Sequence, residues 1–393
     1  MRTTMKNHGW KRVSAAVAVA GAVACSVTAH SATAAQHPSR GLTDALRADL
    51  QQYLDAHRSQ DRMSAVSLRV SYPDRRQAVS VGVSSDRPVA DDALWQIGSN
   101  TKAFTAVLLL QLEAEGRLSI QDGLGRWLPE YDEWRDVTIA QLLSMTSGIP
   151  DYGQQGAFAE AVIADQSTEF TAERLVSFVR GQAGPKTYSY SNTNYILAQL
   201  IIERVTKDSY GSQLQRRLFR PLGMRDTCLA PACRPGTAQR MPTGYYGASD
   251  VPTWLGKPVP PLALTWAQGA GGLVSSLEDL TTWTRALYSG CLLPPAQQRE
   301  LTSLISTATS TPIPVVTPQD PVGFGLGVAE RLDSGTNRPV WSYRGQTFGF
   351  QVAHTYVQDS GVVITLAVNS TADSDTLTGL ADTVHRTVDE HGR

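Results

Sequence analysis

The chain has 393 residues, 41% of them hydrophobic and 18% charged, with a formal net charge of −1. That composition describes an ordinary globular protein with enough chain to bury a large core, in one domain or two. It excludes a basic nucleic-acid surface, and it offers no basic patch for a membrane.

The first 34 residues read as an export signal. Arg2 to Arg12 are basic, Val13 to Val27 are mostly Ala and Val, and Ala32-Thr33-Ala34 offers a small-residue cleavage site before Ala35 or Gln36. The apolar run is too short to span a bilayer, and no other stretch could do so. Ala24-Cys25 raises a rival lipoprotein reading, weakened by Ala22 where such signals carry leucine. Residues 1–34 hold four of the 35 basic residues and no acid, so their removal leaves 31 basic against 36 acidic residues and a net charge of −5. The expected product is secreted or periplasmic, soluble and monomeric.

Leu46, Leu50, Tyr53 and Leu54 recur at helical spacing, which predicts a helix over Asp44–His57 with Thr43 or Asp44 as its cap. Val66, Leu68, Val70 and Tyr72 alternate, Pro73-Asp74 turns, and Val79, Val81 and Val83 alternate again. This is a hairpin with one buried face. Trp95-Gln96-Ile97-Gly98-Ser99-Asn100-Thr101-Lys102 then runs into the apolar stretch Ala103–Leu110, a helix expected to end at Gly116.

Ser99 and Lys102 stand three residues apart at the mouth of that helix. Positions i and i+3 share one helix face, so the hydroxyl and the amine can meet. The helix N-terminus favours negative charge on the serine oxygen. Burial among Phe and Leu lowers the lysine pKa and frees its amine to act as a base. Four lysines follow residue 34 (Lys102, Lys186, Lys207 and Lys257), and Lys102 alone has a serine three residues before it. This pattern predicts a serine acyl-transfer nucleophile that works without histidine.

Helical signals dominate to about residue 235, over Ile139–Met145, Ala172–Arg180, Asn194–Lys207 and Tyr210–Phe219. Residues 251–262 and 311–322 are Pro-rich and read as loops. Another helix is expected over Ser276–Tyr288. Strands return over Phe324–Ala329, Val340–Arg344, Gly349–Val357 and Gly361–Asn369, followed by a helix from about Asp375 to Asp389. The order predicts an α/β protein whose antiparallel sheet is built from both ends of the chain, residues 41–116 and 265–393. Terminal helices flank it, and a mainly helical region over 117–264 is inserted.

Cys228 and Cys233 could close a small disulfide loop in an oxidising compartment, which leaves Cys291 as a buried thiol. The seven histidines form no ligand cluster, so no metal and no cofactor are expected. His354 alternates with apolar neighbours on a strand and reads as a packed or hydrogen-bonded histidine.

An acyl-enzyme mechanism also needs a proton carrier for the leaving group, a side chain that aligns the substrate, and donors for the oxyanion. Tyr190 and Asn192 flank one residue in a short loop before a helix. A tyrosine near an ammonium can have its pKa lowered enough to shuttle protons.

With Ser99-Asn100-Thr101-Lys102 and Tyr190-Ser191-Asn192 in this order, the chain resembles the serine β-lactamase and penicillin-binding-protein superfamily, most closely its secreted D-alanyl-D-alanine carboxypeptidase and class C β-lactamase branch. Leu142–Gly148, Pro221-Leu222-Gly223-Met224 and Ala270–Ser275 support the resemblance, which runs from about residue 45 to 388. It implies the β-lactamase/DD-peptidase fold. It also implies catalytic Ser99, Lys102 and Tyr190, a substrate-aligning Asn192, and oxyanion amides on Ser99 and Gln346.

The family's third motif, K/H-T/S-G, appears here as Tyr343-Arg344-Gly345. Gly345 is kept and lets the substrate backbone approach the strand. Tyr343 replaces the cation, and Arg344 replaces the small hydroxyl residue. Arg344 could pair with a substrate carboxylate through two hydrogen bonds, or strand alternation could turn it to solvent. No G-x-S-x-G elbow and no E-x-x-L-N stretch occur, which removes a Ser-His-Asp hydrolase and a class A β-lactamase scheme.

The expected substrate is a small molecule or peptide with a D-Ala-D-Ala-like end, cleaved by a carboxypeptidase acting on peptidoglycan. An esterase or β-lactamase on the same site is the alternative. A non-hydrolytic penicillin-binding or sensing protein, acylated without turnover, is another.

Overall fold

The computed structural model describes residues 40–59, 61–73, 79–84, 88–371 and 375–391. The expected export signal, its cleavage site and Cys25 lie outside the described residues, as does Asp74 of the expected turn.

Helix α1 (Arg40–His57) starts four residues before the expected Asp44 and buries Leu42, Leu46, Leu50, Tyr53 and Leu54. Strands β1 (Ala65–Ser71) and β2 (Val79–Ser84) form the expected antiparallel pair, with Val66 opposite Val83 and Leu68 opposite Val81. Strand β1 is covered on both faces over most of its length, so Ser67 is buried beside the valines. A short strand β3 (Leu94–Gln96) then leads into a single 3-10 turn, Gly98–Asn100, and helix α2 (Thr101–Ala114).

Helix α2 buries every residue from Thr101 to Leu110 and Leu112 as well. A helix apolar on all sides belongs in the middle of a core. Its Phe104 stacks on Trp283 with ring centroids 3.6 Å apart, and meets Phe219 edge-on at 6.0 Å. Deleting such a ring costs about 3–5 kcal/mol, so the turn that carries Ser99 sits on a firmly packed part of the protein.

Past α2 the described chain up to residue 264 is short helices and loops, apart from helix α3 (Asn192–Thr206) and the two-residue strand β4 (Cys228–Leu229). The expected helix over Tyr210–Phe219 widens into a π-helical segment from Gln215 and runs on to Leu222. Strand β5 (Leu273–Ser276) pairs with β3 on one side and β4 on the other. This small second sheet was not expected, because strands of two to four residues show no periodicity. It aims the chain into the turn that carries Ser99: Ile97 N–H donates to Leu273 O at 3.0 Å.

Helix α4 (Leu277–Tyr288) is capped by the Ser276 side chain. The remaining strands are β6 (Leu304–Ser306), β7 (Pro312–Ile313), β8 (Val322–Phe324), β9 (Ala329–Leu332), β10 (Pro339–Gln346), β11 (Gln351–Val357) and β12 (Val362–Val368). The single strand expected over Phe324–Ala329 is a tight reversal between β8 and β9, with Gly327 at φ +76°. Helix α5 (Leu377–His391) closes the chain.

The main sheet is antiparallel throughout in the order β2-β1-β12-β11-β10-β9-β8-β6-β7, so both ends of the chain meet at β1 and β12. Helices α1 and α5 cover one face, where Leu46 and Val384 join Val66, Leu68 and Leu366 in one apolar cluster. The other face packs on α4 and the Gly98–Asn100 turn, where Val352, Ala367 and Trp341 join a second apolar cluster. With helices on both faces, every residue of β12 is buried. The result is the expected α/β architecture, an antiparallel sheet flanked by terminal helices.

Cys228 and Cys233 form a disulfide with their Cα atoms 5.3 Å apart. Cys291 is partly exposed rather than buried, and Ser289 Oγ–H donates to its Sγ at 3.2 Å. It lies in the turn after α4, following Gly290 at φ +75°, where the chain leaves the core. Among the described residues no helix is long and apolar enough to cross a membrane.

Candidate active site

The structure brings Ser99, Lys102, Tyr190 and Asn192 together across more than ninety residues of sequence. Ser99 Oγ lies 3.0 Å from Lys102 Nζ and 2.6 Å from the Tyr190 hydroxyl. Lys102 sits one residue into α2, fully buried, and its Nζ also donates to Asn192 Oδ1 at 2.8 Å and to Ala270 O at 2.7 Å. The rings of Tyr190 and Tyr195 stand 4.8 and 5.4 Å from the same nitrogen.

Burial moves the Lys102 pKa down to about 7, and the Asp151 charge pulls it part of the way back. Near neutral pH a large share of Lys102 is therefore the free amine. A neutral amine has two N–H groups and one lone pair. Asn192 Oδ1 and Ala270 O only accept, so they take both N–H groups and leave the lone pair facing the Ser99 hydroxyl. The buried setting thus aims a free amine lone pair at the Ser99 hydroxyl, an arrangement able to draw off its proton.

Tyr190 departs from expectation. Desolvation raises its pKa well above that of a free phenol, and this outweighs the hydrogen bond with Ser99. The lowered pKa expected from sequence presumed a neighbouring ammonium, but Lys102 is itself driven toward neutrality. Tyr190 is a neutral phenol in this site, able to give and receive a proton at once.

A second set of contacts fixes the turn that carries Ser99. Asn100 Nδ2 donates to Ile97 O at 2.7 Å and to Val352 O at 2.9 Å, so its Oδ1 must accept from His354 Nδ1 at 2.8 Å. His354 Nε2 then accepts from Tyr288, 3.2 Å away, and burial lowers the His354 pKa to about 3. As expected, His354 is a neutral, hydrogen-bonded histidine, and here it ties the sheet to the turn that carries Ser99. Thr101 Oγ1 completes the turn by donating to Gly98 O at 2.7 Å.

Strand β10 presses against this turn. A Cβ on Gly345 would stand 1.9 Å from Ile97 O and 2.8 Å from Ser99 N, and one on Gly98 (φ +51°) would stand 2.7 Å from Gln346 N. Only glycine fits at either place. The close approach brings the backbone at Ser99 and the backbone at Gln346 face to face.

Tyr343 and Arg344 part company, as side chains on successive strand residues do. Tyr343 is buried against Phe324, their ring centroids 6.0 Å apart. Its hydroxyl is close enough to Tyr190 to influence it, yet it completes no hydrogen bond of normal geometry. Arg344 is neither a substrate-facing cation nor a free solvent arm. It pairs with Asp375 at 3.2 Å and donates to Gln346 Oε1 at 2.7 Å and Gln351 Oε1 at 2.8 Å. The expectation that Arg344 reads a substrate carboxylate is corrected accordingly, because alternation along β10 turns it toward the start of α5.

Sequence reading missed Asp151. Its Oδ1 accepts from Gly153 N at 3.0 Å and Asn192 N at 3.2 Å, and its Oδ2 accepts from Asn192 Nδ2 at 3.1 Å. It stands three residues past Gly148, the end of a stretch already noted, but nothing local marks it as a partner for Asn192. The Ala270 carbonyl was equally invisible, since a backbone acceptor leaves no mark in residue type.

The beta-lactamase family model matches residues 46–386. The chain is 27% identical to the unguisins hydrolase ungD' of Aspergillus campestris over 300 residues, 73% of this chain and 54% of that protein. It is 30% identical to penicillin-binding protein 4* of Bacillus subtilis over 229 residues, 55% of this chain and 49% of that protein. The chain thus spans about half the length of these curated relatives. Among solved structures, a D-stereospecific amidohydrolase from Streptomyces sp. superposes with a TM-score of 0.72 at 27% identity, covering 88% of this chain and 98% of that one.

Proposed function

The chain belongs to the beta-lactamase family, within the superfamily of serine hydrolases and penicillin-binding proteins, and on that premise we propose that it hydrolyses amides through an acyl-enzyme on Ser99. The observation that carries this reading is Ser99 Oγ held 3.0 Å from the amine of a fully buried lysine and 2.6 Å from the Tyr190 hydroxyl. Ser99 Oγ attacks the substrate carbonyl while its proton passes to Lys102 Nζ. The amides of Ser99 and Gln346 hold the oxyanion, and the free N–H of Asn192 Nδ2 aligns the substrate. As the C–N bond breaks, Tyr190 gives its proton to the leaving nitrogen and takes one back from Lys102. Water then attacks the ester by the same route, giving the acid and free Ser99.

Acyl donors with a neutral end suit this site best. Tyr343 stands where the family carries a cation, and Arg344 is engaged with Asp375 on the other side of β10. The similarity to a D-stereospecific amidohydrolase suggests amides of D-amino acids as the substrate class. D-alanyl-D-alanine carboxypeptidase activity on peptidoglycan is the second reading, supported by the similarity to penicillin-binding protein 4*. A peptide carboxylate left without a cation loses about 1–3 kcal/mol, which places that activity lower.

The test compares kcat/KM for a D-amino-acid amide, its L isomer, a D-Ala-D-Ala peptide and a p-nitrophenyl ester. The D-amide should exceed the dipeptide by about tenfold or more, and its kcat/KM should rise through about pH 7 as Lys102 loses its proton. A preference for the dipeptide would reverse the order of the two readings. Arg344→Ala should leave the amide-to-peptide ratio within about twofold, as for a residue away from the chemistry. A selective loss on the peptide would return Arg344 to the substrate.

A further inference from the structure

We propose that Asp151 is a positioning residue of this site, holding the Asn192 amide so that its Oδ1, and not its Nδ2, faces Lys102. The inference rests on the reading of Ser99 as nucleophile and Lys102 as its base. The two ends of an asparagine amide are nearly the same size, so packing alone does not choose between them. Asp151 chooses. Its Oδ1 is fixed by the N–H groups of Gly153 and Asn192, which leaves Oδ2 as an acceptor-only partner 3.1 Å from Asn192 Nδ2. With Nδ2 committed there, Oδ1 must point to Lys102 Nζ, 2.8 Å away.

The loop that carries Asp151 is latched to the start of α3 on both sides of it. Ser147 Oγ donates to Asn194 Oδ1 at 2.7 Å. Thr193 Oγ1 donates to Pro150 O at 2.7 Å and accepts from Tyr152 N at 3.0 Å. The carboxylate therefore has little freedom to follow Asn192 if the amide turns.

The orientation matters for the lone-pair count. With Oδ1 inward, neutral Lys102 spends both N–H groups on Asn192 and Ala270, and its lone pair meets Ser99. With Nδ2 inward, an amide N–H faces the amine and competes with Ser99 for that lone pair. The groups around Lys102 are otherwise neutral: Ser99 from the preceding turn, Tyr190 and Tyr195 from the loop and helix across it, and Tyr343 from β10 beyond Tyr190. Tyr190 and Tyr152 both face Asp151; desolvation raises their pKa values and its charge adds to that. Asp151 supplies the negative charge that acts on Lys102.

Asp151→Asn tests this with almost no change in shape. If the new amide keeps its oxygen toward Gly153 N–H, its Nδ2 faces that of Asn192 and drives the Asn192 amide to turn. Turnover should fall by about tenfold or more, as for loss of an aligned proton-transfer partner. The acid limb of kcat/KM should move to lower pH, because both the lost charge and the inward N–H disfavour the ammonium. The double variant with Asn192→Ala should be no slower than Asn192→Ala alone, since Asp151 acts through Asn192. In protein labelled with ¹³C at lysine Cε, the Lys102 titration, assigned with Lys102→Arg, should shift down in the same direction.

An unmoved limb and titration, or additive losses in the double variant, would overturn the proposal. The NMR titration reads Lys102 without turnover, so it decides the role of Asp151 even where no acyl-enzyme forms. A wild-type protein that takes no acyl group defeats the acyl-transfer reading separately.

Discussion

Ser99→Ala should abolish turnover of every amide, peptide and ester tested, with kcat lower by about 10⁴-fold or more, while the fold persists. The loss is large because no other group near the oxyanion amides can form the ester. Tyr190, although 40% exposed as a residue, stays protonated because desolvation at its hydroxyl raises its pKa, and Lys102 is fully buried. The fold should survive because the Ser99 hydroxyl contributes little to packing. The turn is held instead by Asn100, Thr101 and His354 and by the approach of Gly345. Removing the hydroxyl costs no more than the roughly 1 kcal/mol of an ordinary hydrogen bond. Kinetics and thermal melting of the same preparation check this. Residual turnover above about one part in a hundred of wild type would point to another nucleophile.

Lys102→Met should have two effects of opposite sign. Turnover should fall by about 10³-fold, within the span of general-base catalysis. Stability at acidic and neutral pH should rise. The pKa of Lys102 is about 7 in the folded protein, against 10.5 for a free lysine. Between those values the unfolded chain binds the extra proton, so stability increases with pH across that window. Below pH 7 the full penalty applies, roughly 4–5 kcal/mol at 1.36 kcal/mol per pKa unit. Methionine removes the penalty but leaves Asn192 Oδ1 and Ala270 O without their donor, which returns about 1–3 kcal/mol. The net expectation is a Tm a few degrees above wild type at pH 6, a gain that shrinks and reverses as pH approaches 10. An equal loss of stability at both pH values would mean that Lys102 is an ordinary packed cation and not a base kept neutral by burial.

The pairing of Ser99 with Lys102 was legible in the sequence because their relation is local. Three residues at the mouth of an apolar helix fix the geometry whatever the rest of the chain does. Tyr190 and Asn192 stood out as a candidate proton carrier and aligning amide only beside Ser99 and Lys102. The family resemblance tied them to that site, since nothing in the sequence alone says that a loop ninety residues on returns to Ser99. The long elements were also legible: α1, α2, β11 and β12 carry clean helical or extended hydrophobic patterns.

What was lost lies where few residues make a structure or where a contact spans the chain. Strands β3, β4 and β5 are two to four residues long, too short for any period. Gly325 and Gly327 break what looked like one strand into a reversal. Asp151 hides because its partner is 41 positions away. The expected pKa of Tyr190 failed for a coupled reason: the burial that makes Lys102 a base also removes the ammonium that was to lower the tyrosine.

The central claim, an acyl-enzyme on Ser99, is tested most directly by intact-mass spectrometry of rapidly quenched wild-type protein. The protein is mixed separately with a penicillin, a D-amino-acid amide and a p-nitrophenyl ester. A mass increase equal to the acyl group with at least one of them, mapped by peptide digestion to Ser99 and missing from Ser99→Ala, is the predicted result. Product released with no adduct on Ser99, or an adduct that persists in Ser99→Ala, would contradict the account.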